Sequence, residues 1–168
     1  AQVLASWAGR YVSDDSEAAA PGVSAKEGEV VVGETREGRF SQAIAAGRHH
    51  LRADEPASFG GDDTGPTPYG LLLAALGACT SMTLRMYAQR KGLPLERVVV
   101  RLRHDKIHAE DSDQCETKGG KIDHVDRVLE LHGDLDDTAR SRLLEIADKC
   151  PVHQTLTREN SIDTRLGS

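Results

Sequence analysis

The sequence predicts an α+β fold with antiparallel sheets, for three reasons. Strand-like runs form clusters that flank two helical segments, instead of alternating strictly with helices as a parallel sheet requires. Short turns rich in glycine separate neighbouring runs, which is typical of antiparallel hairpins. The third observation concerns size: 168 residues are enough for one domain of this class with its own hydrophobic core.

The N-terminal residues differ from the rest of the chain. The stretch "AQVLASWAGRYV" reads as the last turns of an amphipathic helix, and the Ser-, Ala- and Pro-rich stretch behind it is typical of a linker. We therefore predict a tail helix of a missing upstream domain at 1–13, a linker at 14–27 and the folded domain at 28–168.

The folded domain begins with short strand-like runs. "GEVVVGETREGRFSQAIAAGRHHLRAD" predicts a three-stranded antiparallel meander, with turns at Glu37-Gly38 and Ala46-Gly47. The following "EPASFGGDDTGPT" lacks periodicity and predicts a loop. A helix over about 67–91 comes next, with a proline in its first turn and a glycine after its end.

The second half repeats the pattern of strands followed by a helix. "LERVVVRLRHDKIHA" and "HVDRVLELHG" alternate apolar and polar residues and predict two paired strands, joined by a polar loop. "DLDDTARSRLLEIADKC" predicts a helix that is capped by acidic residues and stopped by Pro151. "NSIDTRL" predicts a final strand.

Charge and composition exclude several classes of function. The net charge is −6 and the isoelectric point about 5.6, which argues against a nucleic-acid-binding surface. The N-terminus lacks the basic and apolar regions of a signal peptide. The apolar run from Tyr69 to Leu84 is short and rich in Gly, Ser and Thr, so we expect no membrane span. Three widely spaced cysteines predict a cytoplasmic protein with reduced thiols.

Cys79 and Cys150 are the candidate reactive residues. Cys79 lies in a helical stretch without charge and shares helical spacing with apolar and small residues: Leu72, Ala75, Leu76, Met82, Thr83 and Met86. Cys150 shares the inward stripe of Leu143, Ile146 and Ala147 at the end of its helix. Two inward cysteines could meet in space, although each could also be an inert buried thiol.

The other polar groups near these cysteines give weaker signals. Cys150 and His153 have C-x-x-H spacing, but half a zinc knuckle is too little for a structural site, so we expect no metal. Cys115 lies in an acidic loop, where neighbouring negative charge raises a thiol pKa, and is the least reactive candidate.

The two cysteine contexts together resemble a known family. "PTPYGLLLAALGACTSM", followed about seventy residues later by "IADKCPVHQTL", resembles the OsmC/Ohr family of osmotically inducible and organic-hydroperoxide-resistance proteins. The resemblance covers about Gly28 to Leu166. The variant of the motif is similar to a subgroup fused behind an α/β-hydrolase domain, which agrees with the orphan helix at 1–13.

This resemblance implies an OsmC-like fold, in which antiparallel sheets pack around two long helices in an intertwined homodimer. It also implies a thiol peroxidase that needs no cofactor, with Cys79 as the peroxidatic and Cys150 as the resolving cysteine. An organic hydroperoxide is the implied substrate, because a buried thiol suits an apolar tail, and a cellular dithiol is the reductant.

The family also pairs an activating arginine with a glutamate. Arg36 in "TREG" matches the arginine, with Arg39, Arg48 and Arg52 as alternatives. Tyr69 and Gly70 stand where the glutamate is expected, so Glu55 is the candidate substitute, along with Asp54, Asp62 and Asp63. His153 is either a loop histidine or a proton donor to the departing alkoxide.

Two functions therefore remain open. The first is the hydroperoxide reductase, and the second is a non-catalytic module for dimerisation or ligand binding, the C-terminal part of a hydrolase fusion. In both, the helix at 67–91 predicts a homodimer, because its first half is apolar on every face and its small residues permit close helix approach: Gly70, Ala74, Ala75, Gly77 and Ala78.

Overall fold

The structure, a computed structural model, describes residues 23–108 and 120–167. Three strands, a long helix, two long strands and two further helices follow one another: β1 Val30–Glu34, β2 Gln42–Ala46, β3 His49–Ala53, α1 Pro68–Lys91, β4 Leu95–His108, β5 Lys121–Gly133, α2 Asp137–Ala147 and α3 Pro151–Thr157. The chain divides into two compact units, Ala1–Leu71 and Leu72–Ser168, called here the N-terminal and C-terminal units. The predicted helix at 1–13 and the first part of the linker lie outside the described residues.

The N-terminal unit contains the predicted meander. β1 pairs with β2, and β2 with β3, both antiparallel. The central strand β2 is the most buried because it has neighbours on both edges, and its small side chains leave little of the strand exposed: Ala43, Ile44 and Ala45. The sequence prediction for this sheet is confirmed.

A buried carboxylate organises the loop after β3. Asp54 is only 2% exposed, and its oxygens accept hydrogen bonds from the amides of Glu55, Asp62 and Thr64 and from the Thr64 hydroxyl, at 2.8 to 3.2 Å. A Cβ on Gly61 would lie 1.9 Å from the Glu55 carbonyl oxygen, so the loop can close only over a glycine. The aperiodic stretch is therefore a defined loop.

The C-terminal unit is built on the β4–β5 hairpin. Its strands are antiparallel, with Val98 opposite Leu131 and Val100 opposite Leu129. The core of this unit joins α1, the start of β4, the loop before α2 and α2 itself: Leu84, Ala88, Leu95, Leu135, Leu143, Ile146 and Ala147. The predicted strand pair is confirmed, whereas Cys115 in its connection lies outside the described residues.

The inward face predicted for α1 is partly wrong. The fully buried residues form one row at spacing i, i+4, namely Leu76, Thr80, Leu84 and Ala88. Leu72, Met82 and Met86 are 38%, 64% and 62% exposed in the single chain. The core therefore takes one stripe of this helix, because the hairpin and α2 cover only one of its sides.

α1 is longer than the apolar run from Tyr69 to Leu84 from which we expected no membrane span. α1 has 24 residues and an 18-residue window of mean hydropathy 1.3, so by length and composition it could cross a bilayer. Buried core helices of soluble proteins meet the same two conditions.

Two predictions for the C-terminal end of the chain are wrong. α2 ends at Ala147, and Pro151 does not stop that helix but begins α3, because its fixed φ and missing N–H suit the first position of a helix. Cys150 is therefore the residue before α3, not the last turn of α2. The predicted strand in "NSIDTRL" is absent, since residues 159–167 have no regular structure and are exposed there.

Candidate functional site

Two cysteines from different elements meet in the C-terminal unit. Cys79 lies in the middle of α1 and is partly buried, whereas Cys150 lies between α2 and α3 and is fully buried. The two thiols are free and joined by a hydrogen bond. Because a disulfide depends on proximity in space rather than along the chain, this pair meets the first requirement for forming one.

Several polar hydrogens converge on the sulfur of Cys150. Its Sγ caps α3 and accepts a hydrogen bond from the His153 amide at 3.5 Å. The Val152 amide and the Thr80 hydroxyl also donate to it. The first amides of a helix have no partner inside the helix, so they are available to the sulfur.

Cys79 has fewer donors. The hydroxyl of Thr83, one helical turn further along α1, and the amide of Val152 both hydrogen-bond to its sulfur. The Val152 amide therefore serves both cysteines, and the turn that begins α3 connects them.

The two thiols have different acidities. Burial raises the pKa of Cys79 above its ordinary value of 9.0, and the hydrogen bond with Cys150 raises it further. Burial also acts to raise the pKa of Cys150, but the hydrogen bonds from Cys79, the His153 amide and the Thr80 hydroxyl outweigh it, so this pKa is lowered. Because each cysteine shifts the pKa of the other, the two thiols titrate as a coupled pair.

The sequence analysis missed Thr80 and Arg127. Arg127 donates to the Thr80 hydroxyl at 3.2 Å, to the Ala147 carbonyl at 3.3 Å and to the Asp148 carboxylate at 2.6 Å. One signal was available, because Arg127 occupies the same phase of β5 as Val125 and Leu129. A charged residue on the apolar phase of a strand points to a buried partner.

An open groove of about 380 Å³ begins beside Thr83, the hydrogen-bond partner of Cys79. Its lining combines an apolar floor with two cationic side chains: Thr83, Met86, Tyr87, Arg90, Ile146 and Lys149. It offers a small organic molecule a place beside Thr83, which is one helical turn along α1 from Cys79.

The predicted activating residues lie in the N-terminal unit. Arg36 is in the turn between β1 and β2 and has a left-handed backbone, with φ of 62°. Of the alternatives, Arg52 forms an ion pair with Glu37 at 3.0 Å, and Arg39 lies 4.9 Å from the centre of the Phe40 ring.

No carboxylate forms an ion pair with Arg36 in the described part of the N-terminal unit. The Asp54 carboxylate is engaged by the amides of its own loop, and Glu55 bonds to that loop through its backbone. The structure therefore does not bring Glu55 and Arg36 together within this unit.

His153 contributes to the site through its backbone. Its amide donates to Cys150 and its carbonyl accepts from Thr157, while its side chain is partly buried. No group of three potential metal ligands occurs in residues 23–108 and 120–167.

The fold and the thiol pair define an α+β protein with a dithiol site. The chain belongs to the OsmC-like protein family, whose profile matches residues 60–165, a range that contains both cysteines. The match shows the family, whereas the hydrolase-fused subgroup stays a prediction. No curated protein sequence matched the chain.

Solved structures agree with the family. An OsmC-like protein from Mycoplasma pneumoniae is 17% identical, with a TM-score of 0.59, and the alignment covers 78% of this chain and 87% of that one. An organic hydroperoxide resistance protein OsmC from Legionella pneumophila is 18% identical, with a TM-score of 0.56 and coverages of 76% and 88%. The protein OhrB of Bacillus subtilis is 21% identical, with a TM-score of 0.52 and coverages of 76% and 87%. The predicted OsmC-like α+β fold is confirmed.

Proposed function

We propose that this protein is a thiol-dependent peroxidase that reduces organic hydroperoxides through Cys79 and Cys150. The observation that supports it most directly is the hydrogen bond between a partly buried and a fully buried thiol, with donors gathered around one of them. Fold neighbours from Legionella pneumophila and Bacillus subtilis are named organic hydroperoxide resistance proteins, which supports the same chemistry.

The reaction begins with the proton that the pair shares. Cys79 passes its proton along the hydrogen bond to the Cys150 thiolate and becomes a thiolate itself. Its sulfur attacks the terminal oxygen of the hydroperoxide, the O–O bond breaks, and the electron pair leaves with the alkoxide. The alkoxide takes the proton from Cys150, which gives the alcohol, a Cys79 sulfenic acid and a regenerated Cys150 thiolate.

The second step closes the disulfide. The Cys150 thiolate attacks the sulfur of the sulfenic acid and hydroxide leaves, so one hydroperoxide has been reduced by two thiol electrons. A dithiol reductant then returns the two electrons by thiol–disulfide exchange. The cytoplasmic location that the sequence predicts would supply such a dithiol.

The surroundings of Cys79 favour an organic hydroperoxide over hydrogen peroxide. The groove beside Thr83 is lined partly by Met86, Tyr87 and Ile146, which offer apolar contacts to a substrate tail. Hydrogen peroxide has no apolar group that could use this surface.

We assign the activation of Cys79 to Arg36. A cation is needed because burial raises the pKa of Cys79. The left-handed backbone of Arg36 supports the assignment, since non-glycine residues in this conformation are uncommon and cluster at functional sites.

The proposal is tested by mixing the pre-reduced protein with one equivalent of cumene hydroperoxide, without any reductant. We expect consumption of one equivalent of peroxide and loss of two free thiols per chain, with a Cys79–Cys150 disulfide in the peptide map. Unchanged thiols after complete mixing would reject the peroxidase.

The second candidate is a non-catalytic module for dimerisation or ligand binding. It is favoured by one observation, namely that no carboxylate pairs with Arg36 in the described part of the N-terminal unit. The same experiment separates the two, because a module of this kind leaves the peroxide unconsumed.

We also propose that the protein is a homodimer that buries the uncovered side of α1. In the single chain Met82 and Met86 of this helix are largely exposed. A second groove of about 380 Å³ runs between α1 and β4, and small or apolar side chains line it: Leu73, Ala74, Gly77, Ala78, Ser81, Val98, Val100 and Leu102. Apolar surface of this kind is typical of a subunit interface.

A further inference from the structure

Arg127 is a nearly buried cation that takes no part in the reaction steps proposed above. Its side chain is 13% exposed and reaches from β5 to α1 through Thr80 and to the end of α2 through Ala147 and Asp148. Asp148 is 64% exposed, so water screens its charge more than it screens the guanidinium.

The hydrogen bonds at Thr80 have a fixed direction. A guanidinium can only donate, so the Thr80 oxygen must accept from Arg127. The hydroxyl has a single hydrogen, which is then directed to the sulfur of Cys150. Thr80 is completely buried, so no solvent reaches its hydroxyl to compete for this hydrogen.

We propose that Arg127 is a positioning residue, which holds the Thr80 hydroxyl so that its hydrogen is donated to the sulfur of Cys150. The inference rests on the proposed function, in which the Cys150 thiolate accepts the proton of Cys79 and later attacks the Cys79 sulfenic acid. In that attack the S–S bond forms, the S–O bond breaks, and hydroxide leaves with the electron pair. A Cys150 thiol must first lose its proton, so the disulfide closes more slowly without Arg127.

The ionisable residues that bond to Cys150 or to its partners come from every neighbouring element. They are Cys79 on α1, Arg127 on β5, Asp148 at the end of α2, and His153 on α3, which acts through its amide. Arg127 is the cation in this set, so its removal leaves the Cys150 sulfur with neutral donors only.

The test measures the acidity of Cys150 without any peroxide. In a Cys79→Ser, Cys115→Ser background, Cys150 is the one remaining thiol of the chain. Thiolate absorbance near 240 nm against pH and the rate of iodoacetamide alkylation are measured for this protein and for its Arg127→Met, Thr80→Val and Thr80→Ser variants. Arg101→Met is the matched control, because it removes a cation that pairs with Glu130 at an exposed position.

We expect Arg127→Met and Thr80→Val each to raise the pKa of Cys150 by about one unit. At a pH below this pKa, the fraction of Cys150 that is a thiolate then falls roughly tenfold. Thr80→Ser keeps the hydroxyl, and Arg101→Met keeps the hydrogen bonds from Arg127 through Thr80 to Cys150, called here the relay. Both variants should therefore match the background protein. If Arg127→Met does not fold, Thr80→Val tests the relay alone. A Cys150 pKa that is the same in Thr80→Val and Thr80→Ser overturns the inference.

A second measurement uses the otherwise native chain. After one equivalent of cumene hydroperoxide, Arg127→Met should form the Cys79 sulfenic acid and then close the disulfide each several-fold more slowly than the native protein, because both steps use the Cys150 thiolate. A disulfide that closes at the native rate contradicts the inference. If no variant consumes peroxide, the proposed function fails, and the pKa of Cys150 still decides whether the relay exists.

Discussion

Cys79 and Cys150 have the same side chain, and their surroundings give them different tasks. Cys79 is the more accessible and its pKa is raised, whereas Cys150 is fully buried and its sulfur accepts hydrogen bonds from two amides, a hydroxyl and a thiol. In the proposed reaction a substrate reaches Cys79 first, and Cys150 serves as its base and then as its partner in the disulfide.

Replacing each cysteine should separate these tasks. Cys79→Ser should abolish turnover of cumene hydroperoxide, because a serine hydroxyl supplies no thiolate at neutral pH. Cys150→Ser should permit one oxidation, after which excess peroxide converts the sulfenic acid of Cys79 to the sulfinic acid. Mass spectrometry of the Cys79 peptide reads these states. Equal peroxide consumption by the native protein and Cys79→Ser would contradict the assignment, and Cys115→Ser is the control that should behave as native.

Arg36→Gly should change activity and stability in opposite directions. Glycine adopts a left-handed backbone without the strain of a side chain, so we expect the free energy of unfolding to rise by up to about 1 kcal/mol. Loss of the cation should slow the peroxide step several-fold and move its pH optimum upward, since the pKa of Cys79 rises. Denaturant unfolding and stopped-flow peroxide reduction measure the two effects, with Arg165→Gly, which removes an exposed cation outside the regular elements, as the control. An unchanged pH optimum would remove Arg36 from the site.

Asp54 should make the N-terminal unit sensitive to acid. Burial acts to raise its pKa, but the hydrogen bonds from Thr64, Glu55 and Asp62 outweigh this and hold it below its ordinary value of 3.8. A carboxyl with a lowered pKa in the folded state stabilises the fold above its unfolded pKa, and this stability is lost as the pH falls through the folded value. Unfolding of the native protein should therefore depend more steeply on pH below about 4 than unfolding of Asp54→Asn. Parallel curves would show that the carboxylate does not contribute.

At the scale of elements, the strands and their buried faces were easier to predict than the buried face of a helix. A strand alternates with period two, so the runs through Val98 and Val100 indicated both the strand and its buried face. The face of α1 depends on what packs against it, and its sequence is apolar on every side, so the row with Thr80 could not be distinguished from the row with Met82. Pro151 is equally ambiguous, because a proline suits both the residue after one helix and the first position of the next.

The start of α2 provides a test of one element. The Asp136 carboxylate accepts a hydrogen bond from the Ala139 amide at 2.7 Å and caps the helix. Asp136→Ala should lower the free energy of unfolding by about 1 kcal/mol, and Asp136→Asn, which can still cap, should lower it by much less. Denaturant unfolding measures both changes, provided that the dependence of the free energy of unfolding on denaturant concentration is the same in all three proteins. Equal losses in the two variants would show that charge rather than capping matters.

At the scale of the molecule, several side chains of α1 are exposed in the part of the chain that the structure describes. The core of the C-terminal unit uses Leu84 and Ala88, while Ala74, Ala78, Met82 and Met86 remain exposed. This exposed apolar surface could be predicted from the sequence, because the first half of the helix is apolar on every face, but the side that a second chain would cover could not be predicted.

The homodimer is tested by a charge on that side. Ala78→Arg should shift the protein from dimer to monomer at micromolar concentration, since an arginine in an apolar interface loses its hydration without gaining a partner. Ser141→Arg on the exposed side of α2 is the control and should stay dimeric. Sedimentation velocity reads both. A native protein that sediments as a monomer contradicts the proposed dimer.

The capping of α3 by a sulfur links the oxidation state to local order. The His153 and Val152 amides begin a helix of only seven residues, and their acceptor is the sulfur that the proposed reaction oxidises. A disulfide sulfur is neutral and accepts hydrogen bonds weakly, so oxidation should loosen the first turn of α3. Deuterium should then enter these two amides faster in the oxidised protein. In the oxidised protein the loosened turn would give the dithiol reductant access to the disulfide. After reduction the Cys150 sulfur would again accept these hydrogen bonds, and the turn would become ordered.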